Sequence, residues 1–266
     1  MKAVLRSLFA AAVTLFACAT ASADPVLWVS DSRGQLAKID VLTGATTLVG
    51  NTGTQMFDIA FNASGQLFGV DGTALYSINA FTANATLIGV MGNTSNINSL
   101  VFGADGTLYG ASNGLYKFNI GTGAVTQIGA NFASFASSSG DLAFVGGNLY
   151  LSTLGVPSDR LVKLNTGTGG NTDVGSIGFA SVFGMASPNG TDLYGFSGNQ
   201  VLAINVATGA GTLLSTANGL SLGSVYGSAF FSEAVPVPAI PEPSTYALLI
   251  AGLAGLGVVA KRKANV

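Results

Sequence analysis

Two aspartates are the residues of this 266-residue sequence that are best placed to do chemistry. Asp58 and Asp141 begin two copies of a repeated segment, and the other three copies begin at Ser99, Gly184 and Gly227. If the copies surround an axis, these positions form a ring at one mouth of the molecule, and the two carboxylates are the charges of that ring. They could bind a cation or a sugar hydroxyl, or serve as the carboxylate pair of a glycoside hydrolase or lyase.

The alternative is that each aspartate accepts backbone hydrogen bonds at the start of its own segment. With both possibilities open, the sequence predicts a ligand-binding mouth at Asp58, Ser99 and Asp141.

Two other series recur with the same repeat. Asp31, Asp71 and Asn113 form the first, and the following glycines Gly72 and Gly114 make the last two typical of hairpin turns. The second series is aromatic and comprises Trp28, Phe68, Tyr109, Tyr150 and Tyr194. These rings could stack on carbohydrate, but their identical phase in every copy favours packing between neighbouring units.

The composition argues against several classes of function. The sequence has no histidine, and its one cysteine, Cys18, lies in a segment that we expect to be removed. We therefore expect no disulfide, no His or Cys metal site, no His-activated nucleophile and no cofactor. Between residues 24 and 233, five Lys and Arg residues stand against ten Asp and one Glu, which argues against nucleic-acid binding.

The elements that would position the aspartates form a repeat of about 40 residues. A Leu-aromatic segment begins at Leu27, Leu67, Leu108, Leu149 and Leu193, in steps of 40, 41, 41 and 44 residues. Each copy is followed by a segment of alternating apolar and polar residues, then by a turn that usually contains Thr-Gly, and then by a further segment. One more segment precedes four of the copies. Each unit is therefore predicted to contain four short antiparallel strands.

The first unit lacks its leading strand, and residues 225–231 form a spare strand of that type near the other end. We predict an all-β, five-bladed β-propeller over residues 24–233, whose ring is closed by this C-terminal strand. An open β-solenoid is the main alternative. The body resembles propellers of the NHL and YVTN type in its architecture, and the resemblance carries no functional residues to this chain.

The first 23 residues are predicted to be a secretory signal peptide. Lys2 and Arg6 precede an apolar run over residues 8–19, and small residues at Ala21 and Ala23 suit cleavage after Ala23. The body is therefore expected to be exported.

The C-terminus has three parts in a fixed order. A proline-rich linker over residues 234–243 contains Pro241, Glu242 and Pro243, and residues 244–260 form a short apolar segment that is predicted to be a transmembrane helix. The basic tail, residues 261–266, contains Lys261, Arg262 and Lys263, which predict a cytoplasmic end. An ordinary C-terminal transmembrane segment is the alternative.

These residues resemble the PEP-CTERM sorting signal of Gram-negative bacteria, which is also labelled an ice-binding protein C-terminal domain. The resemblance implies an exosortase as partner, processing near Pro241 to Pro243, a transient membrane anchor, and delivery to the cell surface or extracellular matrix. It also implies an association with exopolysaccharide, and the label does not indicate that this protein binds ice.

Taken together, the sequence predicts a non-enzymatic binding or structural component of the envelope, with a polysaccharide or an envelope protein as its partner. The alternatives are a propeller glycoside hydrolase or lyase that uses Asp58 and Asp141, and a scaffold for other proteins.

Overall fold

The computed structural model describes residues 25–92, 96–132, 137–219 and 221–233. The signal peptide, the linker, the apolar segment and the basic tail that the sequence predicts lie outside these residues. In the described part of the chain all regular structure is β-strand, and no helix there is long and apolar enough to cross a membrane.

The strands form five antiparallel four-stranded sheets, which are the five predicted blades. Blade 1 consists of β1 (Val26–Asp31), β2 (Gln35–Asp40), β3 (Thr46–Asn51) and β20 (Val225–Phe230). Blade 2 consists of β4 (Asp58–Phe61), β5 (Leu67–Val70), β6 (Ala74–Ile78) and β7 (Ala85–Val90). Blade 3 consists of β8 (Ser99–Phe102), β9 (Leu108–Ala111), β10 (Leu115–Phe118) and β11 (Val125–Ile128). Blade 4 consists of β12 (Ser138–Val145), β13 (Asn148–Thr153), β14 (Arg160–Leu164) and β15 (Asn171–Ser176). Blade 5 consists of β16 (Val182–Ala186), β17 (Leu193–Ser197), β18 (Gln200–Ile204) and β19 (Gly211–Thr216).

The ring closes through blade 1, as the sequence predicts. The last strand, β20, pairs antiparallel with the first, β1, so that Leu27 lies opposite Phe230 and Ser30 opposite Gly227. Blade 1 therefore takes its innermost strand from the other end of the body, and the described residues form a five-bladed β-propeller.

Hydrophobic side chains fill the spaces between blades. Five separate buried clusters occur, one at each junction of neighbouring blades. The inner strands β4 and β8 are buried along their whole length, whereas the outer strand β3 exposes much of its surface. The core therefore consists of layers between sheets, as expected where each blade is too thin to have a core of its own.

The recurring aromatics pack between blades rather than forming a surface. In four blades the ring of the second strand meets a Phe on the inner strand of the next blade, at centroid distances of 5.3 to 5.7 Å. Tyr150 is the exception, because blade 5 has Ser187 at the position where the other four blades have Phe. The prediction of inter-blade packing is confirmed for Trp28, Phe68, Tyr109 and Tyr194.

Candidate functional site

The inner strands bring Asp58 and Asp141 together on the axis of the ring. Both side chains are fully buried, with 0% exposure, although they come from blades 2 and 4. Ser228 of blade 1 bridges them, since its backbone N–H donates to Asp58 Oδ1 at 3.2 Å and its hydroxyl donates to Asp141 Oδ2 at 3.1 Å. The sequence predicted a shared ring, and the fold places the two carboxyls in it.

Each carboxyl also accepts backbone hydrogen bonds from two strands. Asp58 accepts from its neighbour Ile59 at 2.7 Å and from Leu100 of blade 3. Asp141 accepts from Leu142 at 2.6 Å and from Met185 of blade 5 at 2.6 Å. The local bonds from Ile59 and Leu142 are those that the alternative of capping at each strand start predicts. The bonds from other blades come in addition, so the pair joins all five inner strands.

Burial raises the pKa of both carboxyls well above the ordinary value of an aspartate. The negative charge of Asp141 raises the pKa of Asp58 further, because two carboxylates this close cannot both ionise easily in a water-poor site. The pair thus keeps a proton at pH values where an exposed aspartate has lost its own.

The other ring positions do not add ligand groups to this pair. The Ser99 hydroxyl is fully buried and exchanges hydrogen bonds with the backbone of Ala111 in its own blade. At Gly227 a Cβ atom would lie 2.3 Å from Asp58 Cα, so glycine allows β20 to approach β4. The three predicted ligand residues are therefore buried rather than exposed at a mouth, and their binding of a ligand stays a prediction.

An open cavity lies one residue earlier along the inner strands. It has a volume of about 250 Å³ and is lined by Phe57, Asn96, Asn98, Ser139, Gly140, Phe183 and Tyr226. Five of these directly precede the predicted ring positions, so all five blades contribute one residue each. We call this cavity the central funnel.

The opposite end of the inner strands has a different surface. There Glu233 lines a cavity with Phe102, Tyr109 and Phe144. Burial and the charge of Asp141 raise the pKa of Glu233 well above its usual value, and its carboxylate accepts a 3.4 Å hydrogen bond from Ser187 N. Because β1 begins and β20 ends at this side, Pro25 and Glu233 both lie on the face opposite the central funnel.

In the part of the chain that the structure describes, no three His, Cys, Asp or Glu side chains are placed to hold a metal ion. The buried pair accepts its hydrogen bonds from backbone N–H groups and from the Ser228 hydroxyl.

The tail is assigned by comparison with protein families. Residues 239–263 match the PEP-CTERM protein-sorting motif. The chain carries this sorting motif. It implies processing by an exosortase, with export, membrane-associated sorting and then surface localisation. No curated protein sequence matches the chain.

Solved structures show the fold of the body. A symmetrical protein from a study of its de novo evolutionary emergence is 18% identical, with a TM-score of 0.51, over 73% of this chain and 94% of its own. A chain of the nidogen–laminin complex is 16% identical, with a TM-score of 0.52, over 79% and 82%. At these identities the likeness shows the propeller fold alone.

The prediction that this protein is not an enzyme is wrong. A gluconolactonase from Xanthomonas campestris has a similar architecture, with 14% identity and a TM-score of 0.49 over 77% of this chain and 80% of its own. The likeness assigns no activity or substrate to this chain.

Proposed function

We propose that this protein is an exported β-propeller that an exosortase sorts to the surface of a Gram-negative cell, where its central funnel binds extracellular polysaccharide. The domain organisation follows the sequence: a signal peptide over residues 1–23, the propeller over 24–233, the linker over 234–243, an apolar membrane helix over 244–260 and a basic cytoplasmic tail over 261–266. Processing takes place near Pro241 to Pro243, after a transient membrane stage.

The observation that carries this proposal is the polarity of the propeller. The funnel opens at the start of the inner strands, beside Tyr226, whereas Glu233, the last residue that the structure describes, lies at their other end. During the membrane stage, a linker that begins at residue 234 turns the face of Glu233 towards the membrane, and the funnel faces outwards. A funnel in this position is open to a polymer in the surrounding matrix.

The sorting part of the proposal is tested by fractionating cells that express the full chain or a variant lacking residues 241–266. We expect the full chain at the surface and the truncated protein in soluble form. A triple variant with Pro241→Ala, Glu242→Ala and Pro243→Ala is the finer test, since it retains the apolar segment and the basic end. Unchanged surface delivery of both variants would contradict the assignment of residues 239–263 as a sorting signal.

The binding part is tested with purified residues 24–233, which contain every strand of the closed ring. We expect this protein to sediment together with exopolysaccharide from the producing cells. Capture of one envelope protein without polysaccharide would identify a protein scaffold instead.

A further inference from the structure

The central funnel has two walls of different chemistry. Blades 1, 2 and 5 contribute the half-buried rings of Tyr226, Phe57 and Phe183. Blades 3 and 4 contribute the amides of Asn96 and Asn98 and the hydroxyl of Ser139. A molecule that fits must have an apolar face on one side and hydrogen-bonding groups on the other.

The aromatic wall is held rigidly by its own packing. Tyr226 lies between the two phenylalanines, with centroid distances of 5.9 Å to Phe57 and 5.8 Å to Phe183 and interplanar angles of 84° and 57°. The contact with Phe57 is edge-to-face and the contact with Phe183 is tilted. Aromatic contacts of this kind stabilise one arrangement of the rings. A ligand therefore meets a formed surface and loses little binding energy to ordering side chains.

The polar wall has hydrogen-bonding capacity that the protein does not use. Asn98 Nδ2 donates to the backbone carbonyl of Ser138 at 3.4 Å, whereas Asn98 Oδ1 is buried and has no partner among the described residues. A buried polar atom without a partner is uncommon and indicates that a water or a ligand satisfies it.

Ser139 is oriented by a carboxylate behind it. Its hydroxyl donates to Asp159 Oδ2 at 2.5 Å, and the same oxygen accepts from Val182 N at 2.7 Å. Since the hydroxyl proton is already engaged, the lone pairs of Ser139 Oγ remain to accept a hydrogen bond from a ligand. Asp159 is thus a positioning residue for the polar wall.

Charge and size restrict the ligand further. The lining residues of the funnel carry no charged side chain, and Asp58 and Asp141, which follow Phe57 and Gly140 in the chain, are fully buried. A ligand carboxylate would therefore find no cation among the lining residues. The volume of about 250 Å³ lies below the ~300–1,000 Å³ that is typical of sites for drug-sized ligands.

We infer that the central funnel binds one uncharged sugar ring, whose C–H face packs on Tyr226 and Phe57 and whose hydroxyls bond to Asn98 and Ser139. This deepens the proposed function and rests on it for the biological source of the sugar. The ring is a single residue of a neutral polysaccharide, because the funnel has no room for a longer stretch of chain.

The test is calorimetric titration of residues 24–233 with the methyl glycosides of glucose, galactose and mannose, and separately with glucuronic acid and with choline. We expect binding of at least one neutral glycoside and none of the acid or the quaternary ammonium ion. Choline binding without glycoside binding would identify a cation cage, and binding of glucuronic acid alone would identify an acidic-sugar site. Either result, or no binding at all, would overturn the inference.

Variants locate the site. Tyr226→Ala and Asn98→Leu should each weaken glycoside binding by about tenfold, while Tyr226→Phe should keep most of it because the ring remains. Phe81→Ala is the matched control, since Phe81 is 91% exposed on the turn between β6 and β7, away from the funnel. Thermal unfolding of each variant shows that it is folded, and Ser139→Ala provides a smaller change at the same wall.

Failure of this inference differs from failure of the proposed function. Glycoside binding that Tyr226→Ala abolishes would support the funnel site even if the tail does not sort the protein to the surface. Polysaccharide binding that survives in both Tyr226→Ala and Asn98→Leu would place the polymer elsewhere and overturn the inference, although surface display would stand.

Discussion

At the scale of single residues, the buried pair of Asp58 and Asp141 is the main electrostatic feature of the propeller. Removing two carboxyls from water is costly, and here the cost is offset by backbone donors from several blades, by Ser228 and by a retained proton. The sequence identified both aspartates. Their role in joining inner strands could not be predicted, because it depends on donors that come from other blades.

The pair makes stability depend on pH. Because the folded-state pKa values are raised, the folded protein binds more protons than the unfolded chain above the unfolded-state pKa of about 3.9. The contribution of the pair to the free energy of unfolding is therefore full below about pH 4 and is lost as pH rises through the folded-state pKa values.

Asp58→Asn removes one of these titrations and keeps a group of similar shape. We expect the difference in melting temperature between the variant and the natural protein to shift in favour of the variant between pH 4 and pH 8. Asp192→Asn, at an exposed position, serves as the control. A difference that stays constant over this range would show that the pair does not retain its proton.

At the scale of elements, glycines at the outer strands allow neighbouring blades to touch. A Cβ atom would lie 2.0 Å from Thr122 O if built at Gly89, and 2.1 Å from Thr208 O if built at Gly175. In each case the carbonyl belongs to the turn of the next blade. In blade 5, Ser215 takes the corresponding place, and its hydroxyl donates to Val41 O of blade 1 at 2.7 Å. The recurrence of glycine was visible in the sequence, but the contact that explains it was not.

Gly175→Ala should therefore lower the free energy of unfolding by about 1–3 kcal/mol, because the new methyl group forces the backbones of blades 4 and 5 apart. Gly121→Ala is the matched control: its Cβ would be 3.5 Å from the nearest atom, which is ordinary contact, and we expect a change within ~0.5 kcal/mol. Denaturant unfolding of both variants measures the difference. Equal stabilities would contradict the close contact between these blades.

At the scale of the whole molecule, the fold depends on closure of the ring. β20 supplies the innermost strand of blade 1, and it brings both the bridging Ser228 and the buried Phe230. Val225 and Phe230 also belong to the hydrophobic cluster between blades 5 and 1. Loss of β20 would leave an unpaired edge on β1 and expose this cluster to water.

A protein that ends at residue 224 should therefore lack a cooperative thermal transition, whereas one that ends at residue 233 should keep the transition of the complete body. Near-ultraviolet circular dichroism and calorimetry compare the two. A cooperative transition in the shorter protein would mean that blades 2 to 5 and an incomplete blade 1 are stable without closure of the ring.

The central funnel shows where prediction from sequence fails. Phe57, Phe183 and Tyr226 do not share the residue type of their counterparts Asn98 and Gly140, so no repeated motif marks them. The sequence aligned the inner strands correctly and placed the mouth at Asp58 and Asp141. The signal that could have identified the funnel residues was their position, one residue before each aligned ring residue.

The sequence by itself determined the propeller architecture and the sorting motif, because strand alternation, turn residues and the proline, apolar and basic order are local patterns that recur or stand together in the chain. Only the tertiary structure decided that the carboxyls link the inner strands and that the residues of the funnel lie together. Asp58 is a buried link between strands, and Tyr226 is part of the wall of the funnel, because residues far apart in the chain surround them. No local sequence pattern determines the distances between blades.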